Sequence, residues 1–136
     1  MNNLQNHTTS LELSKRLKEL GFKQESLFVW YANGDDAHLL YLGEDEMRPM
    51  EAKTYSAYLA SELGEWLPYE VFPKSANGMH WNLHIGVNAT GEWRCYLDSE
   101  YRREICFFGD MPTVMAKMLI YLAEQELINP KTLSHE

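Results

Sequence analysis

The stretch that decides the fold is MHWNLHIGVNATGEWRCYL, residues 79–97. In its first half, odd positions are apolar and even positions are polar or glycine, which is the alternation of a half-buried strand. The loop NATG with Gly91 in a left-handed conformation pairs Asn88 with Glu92. This register sets apolar residues opposite each other on one face, which a slip by one residue would destroy. The pairs it predicts are Val87 with Trp93, Ile85 with Cys95, and Leu83 with Leu97.

Helices and further strands are predicted on both sides of this ribbon. Ser10 is a suitable N-cap and Gly21 a suitable C-terminal residue for a first helix, in which leucines recur on one face. Two apolar runs around Asn33-Gly34 predict a hairpin. The predicted elements are a helix from Ser10 to Leu20, strands at 27–31 and 38–42, a helix from Thr54 to Trp66, the ribbon, a strand at 103–108, and a helix from the Asp110 cap to the Asn129-Pro130 stop.

This order, α-ββ-α-βββ-α, predicts an α+β domain. We expect a mostly antiparallel sheet of about five strands with the helices packed on one face. The 136 residues suit a single domain. It is predicted to span 10–130, between a flexible N-terminus at 1–9 and a flexible C-terminus at 131–136.

Charge and composition argue against several classes of protein. The chain has 12 Lys and Arg against 20 Asp and Glu, a formal net charge of −8, which disfavours general nucleic-acid binding. The longest apolar-rich stretch, 114–127, is too short and too polar to cross a membrane. Two cysteines and an N-terminal sequence without signal-peptide features predict a cytoplasmic protein with reduced thiols.

The polar side of the ribbon is a candidate ligand-binding face. His80, Asn82 and His84 share it, and the register adds Arg94 and Tyr96. Such a cluster suits an anion, a metal or a small polar ligand, and the alternative is an ordinary solvated sheet face. Residues four apart on a strand are about 13 Å apart, so the two histidines cannot share one zinc ion. We predict no metal site and no cofactor.

Catalytic motifs are not evident. The sequence has no Gly-x-Ser-x-Gly elbow, no phosphate-binding glycine loop, no HExxH and no Cys-x-x-Cys. No catalytic residue is therefore predicted. Cys95 falls on the apolar side of its strand and is assigned to the core. Cys106 lies close in sequence to Arg102 and Arg103, and nearby cationic groups favour the thiolate form. A reactive thiol is therefore a second possibility for Cys106.

Aromatic residues make up 12% of the chain and suggest a second candidate surface. Tyr and Trp are enriched at protein interfaces. We therefore consider a partner-binding patch formed by Tyr55, Tyr58, Trp66 and Tyr69. The alternative is that these side chains pack the second predicted helix onto the sheet.

Three blocks of the chain carry a resemblance. LSKRLKELGF (13–22), ASELGEWLP (60–68) and AKMLIYL (116–122), in this order and spacing, resemble short uncharacterised proteins encoded by bacterial phages, prophages and other mobile elements. The resemblance brings no catalytic residue. It implies a bacterial cytoplasm during phage or mobile-element replication and an accessory protein that binds a host or phage protein.

Two functions follow as hypotheses. The first is a non-enzymatic accessory protein that acts by protein–protein contact. The second is a small-ligand or metal-binding protein, with hydrolysis open, that uses the polar face of the ribbon.

Overall fold

A computed structural model describes residues 7–33, 36–41, 54–68, 70–71, 80–99 and 103–133. These segments form two antiparallel sheets, ordered β2-β1-β3 and β4-β5-β6-β7, together with helices, which confirms the predicted α+β class. The elements are α1 (Leu11–Leu20), β1 (Phe28–Asn33), β2 (Asp36–Tyr41), β3 (Thr54–Ala57), α2 (Ala60–Gly64), β4 (Glu70–Val71), β5 (Trp81–Val87), β6 (Trp93–Asp98), β7 (Arg103–Gly109), α3 (Met111–Glu124) and α4 (Pro130–Leu133).

The central ribbon, β5 and β6, has the predicted register. The Asn88 N–H donates to the Glu92 carbonyl (2.9 Å), the Gly91 N–H donates to the Asn88 carbonyl (3.0 Å), and Gly91 has a φ of 88°. This is the three-residue loop that the sequence predicts, because only a residue tolerant of positive φ closes it without strain. The Asn88 side chain also accepts from the N–H groups of Thr90 and Glu92.

Burial of the apolar side of the ribbon is only partial. Cys95 and Leu97 of the inner strand are fully buried, and Leu83 packs against the core. Ile85 and Val87, by contrast, are 38% and 52% exposed. The expectation that all odd positions of this strand are buried is therefore wrong beyond Leu83. The physical reason is that α3 packs on β6 and β7 and leaves the end of β5 uncovered.

Helices α1 and α3 begin where their capping residues predict. Ser10 Oγ accepts from the Leu13 N–H (3.3 Å), and Asp110 Oδ1 accepts from the Thr113 N–H (2.9 Å). Gly21, with a φ of 99°, ends α1. Helix α3 ends at Glu124, before the predicted Asn129-Pro130 stop, and Pro130 instead begins the short helix α4.

The hydrophobic core lies around α3. This helix contacts α1, α2 and the inner face of β6 and β7, and α1 in turn contacts β3. Among the helices of the described segments, none combines the length and apolar composition needed to cross a bilayer. The fully buried apolar side chains of the core include Leu17, Tyr58, Leu63, Leu97, Val114, Met118, Leu119 and Leu122.

The predicted helix from Thr54 to Trp66 is wrong, and with it the predicted element order and strand count. Thr54–Ala57 is a strand paired with β1, and the helix that follows spans only Ala60–Gly64. Tyr55, Leu59 and Leu63 have helical spacing by coincidence. Strand β1 has a second edge, and residues 54–57 form hydrogen bonds with it that satisfy their backbone groups. A local reading of the sequence cannot detect this pairing, because β1 is distant along the chain. Seven strands in two sheets thus replace about five in one.

A buried polar network joins the N-terminal segment to the end of β3. The Thr9 N–H donates to the Tyr58 carbonyl (3.0 Å), and the Tyr58 N–H donates to Thr9 Oγ1 (3.0 Å). Ser14 Oγ lies 2.7 Å from the same hydroxyl, and Trp30 Nε1 donates to the Thr9 carbonyl (2.8 Å). Thr8 and Thr9 are buried, so two residues of the segment predicted to be flexible belong to the packed structure.

We expect Tyr58→Phe to lower the free energy of unfolding by about 1–2 kcal/mol, because it removes two hydrogen bonds made by the hydroxyl of a fully buried tyrosine. That hydroxyl donates to the Lys23 carbonyl and accepts from Gln24 Nε2. Urea denaturation followed by tryptophan fluorescence measures the change. Tyr41→Phe is the matched control, since Tyr41 is 60% exposed. Equal effects of the two substitutions would contradict the prediction.

Candidate functional site

The outer face of β5 and β6 brings three of the predicted ligand-binding residues together. The ring of His84 stacks on that of Tyr96, with centroids 4.9 Å apart, and the Arg94 guanidinium lies 5.4 Å from the Tyr96 ring centre. His84 Nε2 lies 3.0 Å from Asp98 Oδ1. The result is a row of planar groups, guanidinium on phenol on imidazole, with a carboxylate at one end. Alternation along the strands produces this arrangement, since cross-strand neighbours on one face touch.

His80 and Asn82 lie at the β4 side of the same face. His80 Nε2 is 3.3 Å from Glu70 Oε2, and Asn82 pairs in register with both Glu70 and Asp98. The two histidines thus belong to two separate acid–imidazole pairs. Within the described part of the chain, no three His, Cys, Asp or Glu side chains are grouped closely enough to hold a metal ion.

Arg94 lies between polar and apolar surroundings. It pairs with Gly86 on one side and with Phe108 on the other. A side chain at Gly86 would meet nothing within 4 Å, so the surface beside Arg94 is open. The Arg94 Nε atom is shielded from solvent, and among the described residues it has no hydrogen-bond partner.

Of the four residues predicted to form the aromatic patch, Tyr58 is inaccessible to a partner. Tyr58 is fully buried, and its ring meets Trp66 edge-on at 5.3 Å. Trp66 also contacts Phe22 (5.3 Å) and packs against the core. Tyr55 is half-buried beneath Lys18, whose Nζ lies 4.9 Å from the ring centre. Tyr69 lies outside the described residues. Packing in the protein interior, the alternative considered above, accounts for Tyr58 and Trp66. The prediction that Tyr58 binds a partner is wrong, because its side chain is fully buried.

Exposed apolar side chains occur instead at the open end of the four-stranded sheet. Ile85, Val87 and Phe108 are 38%, 52% and 50% exposed. The rows Val87–Trp93–Gly109 and Gly86–Arg94–Phe108 place them at the same end of the sheet, with Ile85 and Val87 on the apolar face and Phe108 on the outer face. The sequence analysis missed Phe108, although a signal exists: Ile105 and Phe107 use one face of β7, so Phe108 must use the other.

A groove of about 490 Å³ lies beside this open end, between β5 and the segment that follows α2. Its lining is apolar except for one exposed carboxylate, that of Glu65. The residues that line it are Gly64, Glu65, Leu67, Pro68, Leu83, Ile85 and Met115.

The two cysteines differ in environment. Cys95 is fully buried, and burial raises the pKa of its thiol to about 12, with a smaller contribution from Cys106. Cys106 is half-buried on the outer face, where it pairs with Tyr96. The assignment of Cys95 to the core is confirmed.

A comparison of the chain with protein-family models, with curated proteins and with solved structures found no match.

We expect the stability of the protein to depend on pH through Cys95. Its thiol pKa is raised from 9.0 to about 12 in the folded state, so folding favours the protonated thiol. The linked stability is complete below pH 9 and is lost as the pH rises toward the folded pKa, by up to about 1.4 kcal/mol per pH unit. Measured by urea denaturation above pH 9, the free energy of unfolding should fall less steeply with pH for Cys95→Ala than for Cys106→Ser. The same slope in both variants would contradict this.

Proposed function

We propose that the protein is a non-enzymatic accessory protein that acts by binding another protein of a bacterial host or phage. The observation that carries the proposal is the pair of exposed apolar side chains beside the apolar groove at the end of β5. Ile85 and Val87 form this pair, which we call the open-end surface. Apolar residues that gather on a surface commonly mark an interaction site. The three blocks that resemble phage and mobile-element proteins supply the proposed setting, the bacterial cytoplasm.

The outer face at the same end of the sheet also suits a protein partner. Phe108 lies beside Arg94, and both Phe and Arg are residue types enriched at protein interfaces. The acid–imidazole pair of His84 and Asp98 lies on an open sheet face, with side chains 44% and 36% exposed. General acid–base catalysis draws on groups shielded from water in a cleft, so this pair fits the rim of an interface better.

Capture from a bacterial lysate with the full chain as bait tests the proposal. We expect a protein captured by the wild type to bind the double variant Ile85→Lys, Val87→Lys at least about tenfold more weakly, since buried apolar contacts carry most interface energy. Isothermal titration with the purified partner measures the affinity. Leu40→Lys is the matched control, because Leu40 is 40% exposed on the other sheet. Equal loss in both variants, or no captured protein, would count against the proposal.

A second candidate function, binding of a small anionic ligand, is favoured by Arg94. Its shielded Nε has no hydrogen-bond partner among the described residues, and the space beside Gly86 is open. An anion entering the open space beside Gly86 would accept from the terminal N–H groups of the guanidinium. The neighbouring rings of Tyr96 and His84 would stack on a planar group such as a nucleobase.

A thermal-shift screen with inorganic phosphate, nucleotides and divalent metal ions tests this second candidate. A ligand that binds only the folded state raises the melting temperature. We expect a nucleotide to raise it in the wild type and not in Arg94→Gln, with Arg16→Gln as a control on a different surface. Shifts that persist in Arg94→Gln, or a flat screen, would argue against a ligand at this position.

A further inference from the structure

Strand β5 has an edge with free pairing capacity. Hydrogen-bonded pairs alternate along an antiparallel ribbon, and Asn88 with Glu92 is such a pair. Even residues of β5 therefore bond to β6, and odd residues direct their backbone N–H and C=O groups to the opposite edge. On that edge β4 pairs only with Trp81 and Asn82. Among the described residues, no strand pairs there with residues 85–87 at the far end of β5.

The groove lies along this same edge. Leu83 and Ile85 line it from β5, Leu67 and Pro68 from the opposite side, and Met115 from α3. Val87 continues the row of apolar residues beyond it and is 52% exposed. An edge with unpaired backbone groups next to an apolar groove is what strand addition requires: the backbone supplies hydrogen bonds, and alternate side chains enter the groove.

We infer that the open edge of β5 binds an extended peptide segment of a partner protein, which pairs as an added strand with residues 85–87. The inference rests on the proposed protein-binding function and specifies its mode. The segment carries apolar side chains at alternate positions, about 6.6 Å apart, which enter the groove beside Leu83 and Ile85. It also carries a Lys or Arg that meets Glu65.

Charge selects this occupant over a second copy of the chain. Glu65 is the charged residue of the groove lining, and the chain as a whole has a net charge of −8. Two copies paired edge to edge would bring like charges together, which opposes association. A basic segment meets the opposite charge and gains both steering and affinity. A partner helix would leave the N–H and C=O groups of Ile85 and Val87 unpaired.

Selection from a displayed library of short random peptides, with the full chain as target, tests the inference. We expect the enriched peptides to share apolar residues at every second position and a basic residue. Their affinity should fall about tenfold in Ile85→Lys and several-fold in Glu65→Gln, and should be unchanged in Leu40→Lys. Amide hydrogen exchange should slow at Ile85 and Val87 when the peptide binds. Unfolding curves of each variant verify that it folds.

Four outcomes would overturn the inference. Enriched peptides with apolar residues at helical spacing, or without protection of the Ile85 and Val87 amides, would exclude strand addition. A wild-type dimer on analytical ultracentrifugation that Ile85→Lys abolishes would make a second copy the occupant. Capture of a cellular protein that depends on Ile85 but leaves those amides exchanging fast would overturn the mode while the proposed protein-binding function stands. Failure of both the capture and the peptide selection would overturn both.

Discussion

The hydrogen-bonded contact between Thr9 and Tyr58, which we call the joint, is the constraint on which the packing of α1 against the three-stranded sheet depends. Both residues are fully buried, and their backbone and hydroxyl groups satisfy one another. The joint connects the start of α1, through Ser14, to the end of β3, and reaches β1 through the Trp30 indole. Because an unpaired polar group is costly in a low-dielectric interior, every member of the network holds the others in place. A core of apolar contacts alone would allow more slippage between these elements.

Local signals were sufficient where the structure depends on neighbours in sequence. The register of β5 on β6 follows from alternation and from Gly91, and both long helices begin at their predicted caps, Ser10 and Asp110. The segment around Thr54 could not be predicted in this way. Its strand forms because β1, more than twenty residues away along the chain, offers a free edge, and pairing across that distance is invisible to a local window.

The same distinction applies to the candidate site. Alternation alone placed His84, Arg94 and Tyr96 on one face, and the structure brings them into contact. The accessibility of side chains could not be predicted, because it depends on where other elements lie. Tyr58 is enclosed by packing from distant segments, whereas Ile85 is partly exposed because α3 packs mainly on β6 and β7.

The position of α3 also has a consequence for synthesis on the ribosome. This helix is the centre of the core, yet every strand of the described segments precedes it in sequence. The inner face of the four-stranded sheet must therefore wait, without its covering helix, until α3 has been translated. Hairpins such as β5–β6 can close early because their ends are near each other, but the core itself can assemble only after the last of its parts has left the exit tunnel. A premature stop codon before Met111 would release a chain with nothing to cover its apolar surfaces.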